Sequence, residues 1–391
     1  MTLSVANPYP YYDSIRADPV HWDGLLKRWT LTSYAHITEA LAHPALSSHR
    51  PEPNLDSLSA EAKQHAREVC NTLATWLLRL DPPEHTRLRA LASQALPRHY
   101  LDSLRAPLRE TAESLIDARQ SSGQMEVIAE FAKPLALTAI GALLGLPLAH
   151  QPQFQRWAEA VGAAAEAEPE AARMTRARQS LVCANDYLAD LLSNCRVEDE
   201  AGMLARLRRA EYKGDRLDSR EIAGIATLLL LAGHDTACHS LANGVLALLQ
   251  NPDQLELLAK DPSLMDRAAS EVIRYDSPLQ GIMRVAVQDL ELGGKQIKRG
   301  ETVVLWLAAA NRDPGQFADP NRLDVTRKAG SHLAFGHGIH YCLGSSLGML
   351  IVATGLASLI ARSAPLRLAS PRVEWQGNFL FRSQRSLNVL L

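Results

Sequence analysis

The residues best placed for chemistry lie near the end of the chain. Phe335-Gly336-His337-Gly338-Ile339-His340-Tyr341-Cys342-Leu343-Gly344 is a glycine-spaced loop that delivers one cysteine just before an apolar helical run starting near Leu343. A thiolate there gains from the positive end of the helix dipole and from nearby backbone N–H groups. Three uses fit the loop: an axial thiolate on a haem iron, a zinc site joining Cys342 to His332, His337 and His340, or an inert buried thiol in a structural turn. Zinc fits least, because structural zinc ligands usually come as two short knuckles separated in sequence, and these four crowd one loop.

A second group is Ala232-Gly233-His234-Asp235-Thr236, midway along a long helical pattern. Ala232 and Thr236 are one turn apart, so a very small side chain and a hydroxyl look toward one point. Gly233 costs about 1 kcal/mol of helix stability against alanine, which reads as room kept for something there, such as dioxygen at a metal. The plainer alternative has Thr236 bonding back to a carbonyl and Asp235 in an ordinary polar network. His234 and His239 point about 140° apart around a helix, so they read as packing or surface residues rather than a chelating pair.

Two weaker groups complete the set. Glu271 and Arg274 are a carboxylate and a guanidinium three apart on a helix, a pair worth only about 0.2 to 0.5 kcal/mol at a surface. In Asp81-Pro82-Pro83-Glu84-His85-Thr86-Arg87-Leu88-Arg89 the prolines start a helix, and His85 and Arg89 offer two donors on one face to a carboxylate or phosphate. A solvated basic face is the alternative there.

Such groups need a large apolar framework, and the composition supplies one. Of 391 residues, 47% are hydrophobic and 21% charged, and a net charge of -2 with scattered Lys and Arg leaves no electrostatic footprint for nucleic acid. The first twenty residues mix prolines and charges with no apolar stretch, so neither a signal peptide nor an anchor is expected and the location expected is the cytoplasm. The longest uncharged apolar run, Ile222 to Gly233, is shorter than the roughly 20 residues of a membrane span and reads as a buried helix. Cys70, Cys183, Cys195, Cys238 and Cys342 show no paired short spacing, as expected of reduced thiols.

Without a linker or repeat, residues 1–391 read as one domain. Helices are predicted over Leu101–Arg119, Pro152–Ala164, Ala171–Cys195, Arg220–Gln250 and Leu343–Arg362, and strands over Trp29–Thr32, Glu301–Leu307 and Phe379–Leu391. The fold class expected is mainly α, with small β-sheets at the edge. Asp218 and Glu221 form a capping box and Asn251-Pro252 a stop, giving a central helix of about 48 Å.

In this order and at these separations, the four groups resemble the cytochrome P450 family over essentially the whole chain. The resemblance implies a triangular helical fold with haem b between the long helix and the cysteine loop. It implies Cys342 as axial thiolate, whose electron donation favours O–O cleavage, with Phe335 packed beside it and Ala232 against the haem. His85, Arg89, Arg284 and His340 stand where the family binds the haem propionates, the buried anions that such donors need. Glu271 and Arg274 match the family's Glu-x-x-Arg pair, with Arg322 of Phe317-Ala318-Asp319-Pro320-Asn321-Arg322 as third member of the ion network. Asp235 and Thr236 match the acid–alcohol pair of oxygen activation, with Asp235 relaying protons.

By position, Leu228, Leu231, Ala232, Leu279, Gln280, Ile282, Leu380 and Phe381 line the distal pocket. That set implies a mostly apolar substrate such as a terpenoid, polyketide or fatty-acyl compound, with Gln280 orienting one oxygen. Electrons are expected from NAD(P)H through a ferredoxin reductase and a ferredoxin, as for soluble bacterial members, and the chain is expected to act as a monomer. One departure is Gly348-Met349, where many bacterial members carry Ala-Arg, so a basic residue is missing from the face expected to meet the electron donor. A non-catalytic haem sensor or carrier of this fold would need the same cysteine but has no use for the acid–alcohol pair.

Overall fold

The capping box predicted for the long helix is formed. In the computed structural model Asp218 Oδ1 accepts from the N–H groups of Arg220 and Glu221, both at 2.8 Å, and Glu221 Oε2 accepts from the N–H of Asp218 at 2.9 Å. The helix runs from Ser219 to Leu249, and Asn251 closes it by donating from Nδ2 to the Ala247 carbonyl at 2.8 Å. Pro252 opens the next helix, Pro252–Lys260.

The structure describes residues 3–49, 55, 56, 58–166, 170–194, 202–328, 330–362 and 366–391. Predicted helices appear as Gln151–Glu166, Ala171–Asn194 and Ser345–Arg362, the expected end at Cys195 lying outside the described residues. Leu101–Arg119 resolves into two helices, Arg98–Ser103 and Arg105–Asp117. Helices Ala60–Ala74 and Lys133–Leu144 were not predicted. By length and composition, the stretches Val127–Leu144, Ser219–Leu249 and Ser345–Arg362 could each cross a membrane, but 67%, 67% and 56% of their most apolar windows are buried inside the protein. No disulfide joins the four described cysteines.

The chain forms two compact units, one of Met1–Ser47, Leu108–Leu135 and Thr236–Leu391, the other of Ser48–Pro107 and Ala136–Asp235. The long helix is continuous through both, passing from one to the other after Asp235. The first unit contains a five-stranded sheet in the order Val20–Asp23, Arg28–Leu31, Thr302–Leu305, Ile282–Ala286, Leu46–Ser47. Val303 lies opposite Trp29 in a parallel pair and opposite Arg284 in an antiparallel one. Leu31, Ile37, Leu41, Leu305 and Leu333 form the core behind it. The predicted strand Phe379–Leu391 is two short strands: Arg382–Gln384 pairs with Trp375–Gly377, and Asn388–Leu390 lies between Arg367–Leu368 and Gln124–Glu126.

Glu271 and Arg274, on helix Met265–Tyr275, have side chains only 2% exposed. Arg274 grips the carboxylate in a fork, Nε and Nη2 each donating at 2.7 Å, while Nη1 donates to the carbonyls of Asn311 at 2.7 Å and Pro320 at 2.9 Å. The third guanidinium is that of Arg327, not the expected Arg322. Arg327 Nε lies 3.1 Å from Glu271 Oε1, whereas Arg322 takes part through its main-chain carbonyl, 3.3 Å from Arg274 Nη2. The turn Asp324–Arg327 makes the difference, because the Asp324 N–H donates to Glu271 Oε1 at 3.1 Å and the Arg327 N–H to the Asp324 carbonyl at 3.0 Å, which folds the later arginine back over the carboxylate.

Removing one partner of a buried ion pair typically costs about 3 to 5 kcal/mol. Arg274→Ala is therefore expected to leave little folded protein, and Arg327→Ala to lower the unfolding free energy more than Arg322→Ala. Chemical denaturation of the last two checks this, and equal losses would show that the Arg327 contact contributes nothing.

Candidate active site

Two 3-10 turns, Leu333–Phe335 and Gly338–His340, shape the cysteine loop. Gly336 and Gly338 are left-handed, with φ of 74° and 69°, and at Gly338 a Cβ would also come within 3.1 Å of the Leu41 carbonyl oxygen. The loop closes where the Cys342 N–H donates to the Phe335 carbonyl at 2.8 Å, and the Phe335 ring rests against Gly348. Cys342 is half-buried three residues before helix Ser345–Arg362, so a thiolate at this position gains from the positive end of the helix dipole.

The zinc alternative fails on geometry. Among the described residues no three His, Cys, Asp or Glu side chains gather as a metal site would require. His332 is instead spent on the loop, its Nδ1 accepting from the Ala334 N–H at 3.3 Å and its ring 5.6 Å from that of Phe335.

The four expected propionate partners are arginines and histidines in defined places. In the first unit Arg284 is buried on strand Ile282–Ala286, and His340 ends the second turn of the loop. In the other, His85 is buried and Arg89 half-buried one turn apart on helix Glu84–Gln94. Burial, then the Arg89 guanidinium, holds the His85 pKa below its ordinary value. By residue type each unit suits haem: the first has a thiol at a helix start, a guanidinium and an imidazole, and the other a guanidinium and an imidazole, sulfur being a ligand for iron and N–H groups partners for carboxylates.

Midway along the long helix, Ala232 is exposed and Gly233, Asp235 and Thr236 half-buried, between buried Leu228, Leu231, Ala237 and Cys238. A Cβ at Gly233 would lie 3.2 Å from Ile140 Cδ1, so the glycine lets the helix pack closely against Ile140. His234 Nδ1 lies 3.1 Å from Asp235 Oδ1. One turn on, Ser240 Oγ donates to the Thr236 carbonyl at 2.7 Å. His234 and His239 are both buried, His239 edge-on to Phe381 with ring centres 5.8 Å apart.

Of the remaining pocket residues, Leu279 and Ile282 pack on the sheet core, and Leu380 on Tyr12 and Trp306. Gln280 must be withdrawn as a substrate contact. It is 2% exposed, its Oε1 accepts from Tyr12 Oη at 2.9 Å, and its Nε2 donates to the Ser277 carbonyl at 2.6 Å. Tyr12 lies some 268 positions away in sequence, a partner that no local pattern could reveal.

A helical protein with one cysteine in a glycine cradle at a helix start, and a half-buried Asp–Thr step midway along its longest helix, has the layout of a haem-thiolate oxidoreductase. The family model for Cytochrome P450 matches residues 143–363. The chain is 36% identical over 370 residues to the vitamin D(3) 25-hydroxylase of Pseudonocardia autotrophica, covering 93% of this chain and 88% of that protein. It is 35% identical over 386 residues to the biotin biosynthesis cytochrome P450 of Bacillus subtilis, covering 98% and 96%. The crystal structure of P450BioI in complex with hexadec-9Z-enoic acid ligated acyl carrier protein matches with a TM-score of 0.90 at 33% identity, over 99% of each chain. The chain therefore belongs to the cytochrome P450 family. It has the P450 fold and is a P450 monooxygenase, a family whose cofactor is haem and whose members act on small molecules with electrons from redox partners.

The half-buried histidine that caps the first turn of the cysteine loop makes a pH prediction. Burial, and then the Arg274 guanidinium, lowers the His332 pKa from 6.5 to about 4. Unfolding then takes up a proton between those values, so stability should fall as pH drops from about 6.5 to about 4. His332→Asn, which keeps an acceptor for the Ala334 N–H, should flatten that fall in acid denaturation curves. An unchanged slope would mean that His332 titrates normally in the folded protein.

Proposed function

We propose that Cys342 is the axial ligand of haem b, that His85, Arg89, Arg284 and His340 hold its propionates, and that Asp235 and Thr236 manage protons for the oxygen chemistry. The observation that carries this reading is the Phe335–Cys342 loop, whose left-handed glycines and closing 2.8 Å hydrogen bond hold one sulfur at a helix start. Bound there, haem supplies oxygen activation, assisted by electron donation from the thiolate. The chain's own contribution is positional. Thr236 offers a hydroxyl at the half-buried stretch of the helix, and Asp235, beside His234, offers a carboxylate that can relay a proton.

The substrate we infer is mostly apolar, a terpenoid, polyketide or fatty-acyl compound, in keeping with Leu228, Leu231, Leu279, Ile282, Leu380 and Phe381 and with relatives named for vitamin D(3) and for a hexadecenoic acyl chain. Electrons would come from NAD(P)H through a reductase and a ferredoxin in the cytoplasm, the ferredoxin meeting a face that carries Met349 where a basic residue is usual.

Thr236→Ala should retain haem and substrate and continue to consume reductant, yet release mostly hydrogen peroxide in place of hydroxylated product. Asp235→Asn should keep the coupling and lose about 10²-fold in turnover, the scale of a lost proton-transfer group. Reductant consumed, peroxide released and product formed are measured together, and unchanged rate and coupling in both variants would refute the role given to this pair.

A further inference from the structure

The segment that leads into Asp81–Arg89 carries two buried donors outside the roles assigned above. Trp76 is 6% exposed, and its indole Nε1 is buried without a hydrogen-bond partner. Three residues on, Arg79 has its Nε buried and likewise without a partner. Among the described residues no hydrogen bond or ion pair engages the Arg79 guanidinium. The two residues are held together by the turn itself, the Arg79 N–H donating to the Trp76 carbonyl at 2.8 Å around the 3-10 turn Leu77–Arg79.

Leaving such groups unmatched is costly, since a buried guanidinium Nε–H and a buried indole N–H without acceptors each lose their interactions with water. Burial accordingly pushes the Arg79 pKa down. Both side chains can only donate, so whatever satisfies them must accept; side chains three apart on a 3-10 turn share a face, and a planar guanidinium fork with an indole N–H on that face suits a carboxylate. Arg79 as a whole is half-buried, so the guanidinium can be reached from outside, while neighbouring Leu73 and Leu77 are buried and make the surroundings apolar.

We propose that Trp76 and Arg79 form a carboxylate-binding subsite. Two carboxylates could fill it, the acidic head of an otherwise apolar substrate or a propionate of the haem. The proposal rests on the haem-monooxygenase reading and narrows its substrate class to apolar acids if the first source holds.

The test titrates the haem-loaded protein with hexadecanoic acid and with hexadecan-1-ol, following the visible spectrum and the heat of binding. The wild-type protein should bind the acid about tenfold or more tightly than the alcohol, as a charge-assisted pair would give. Arg79→Gln should erase that preference while leaving the alcohol unchanged, Arg79→Lys should keep part of it, and Trp76→Phe should weaken the acid alone. If the acid preference survives in Arg79→Gln but haem escapes to apomyoglobin about tenfold faster, the subsite holds a propionate instead. Unchanged acid preference together with unchanged haem escape overturns the proposal, and so does a wild-type protein that binds neither probe while Arg79→Gln keeps its haem as firmly. Failure of the haem reading is a separate event, visible as a missing thiolate-haem spectrum before any probe is added.

Discussion

The buried pair of Glu271 and Arg274 is the constraint on which the cysteine loop depends. At a surface, such a pair contributes a few tenths of a kcal/mol. With both side chains out of water, every lone pair and N–H must find a partner, and the protein meets that demand by wrapping main chain around them. The carbonyls of Asn311, Pro320 and Arg322 and the N–H of Asp324 all turn inward to the pair. Asn311 carries the order one step further, its Oδ1 accepting from the Leu333 N–H at 2.6 Å where the first turn of the loop begins. From Leu333 the path to Cys342 is short: the turn to Phe335, whose carbonyl receives the Cys342 N–H. The ion pair touches no substrate, yet it fixes where the sulfur can be.

The long helix solves the opposite problem. A helix buried on nearly every side is held by packing, and Leu230, Leu241, Ala242 and Val245 supply that. Polar chemistry is confined to one stretch, where Ala232, Asp235 and Thr236 remain accessible and His234 and Gly233 are absorbed by packing. Rigid support on both sides of an accessible acid and hydroxyl is what a proton-handling step requires, since catalytic groups must hold their geometry without reorganising.

Much of this was legible because the signals are local. The capping box at Asp218 and the Asn251-Pro252 stop set the limits of the long helix to within a residue, and the glycine spacing around Cys342 gave the loop. The errors came where a distant partner decides. Arg322 and Arg327 look alike in a loop without periodicity, and only the turn at Asp324 selects the second. Gln280 looked like a substrate contact until Tyr12 claimed its amide. Trp76 and Arg79 gave no sequence signal at all, since an unmatched donor is a property of three-dimensional surroundings. The final strand failed for a related reason, its alternation being shared between two sheets.

The central claim is that Cys342 holds the haem iron as a thiolate. The most direct measurement is the absorption spectrum of the reduced protein under carbon monoxide, taken for the wild type and for Cys342→Ala at equal protein concentration. The account predicts a strongly red-shifted Soret band in the wild type and its loss in the variant, because the electron-rich sulfur opposite the bound gas is its cause. A haem-loaded wild type without that band, or a variant that keeps it, would contradict the assignment.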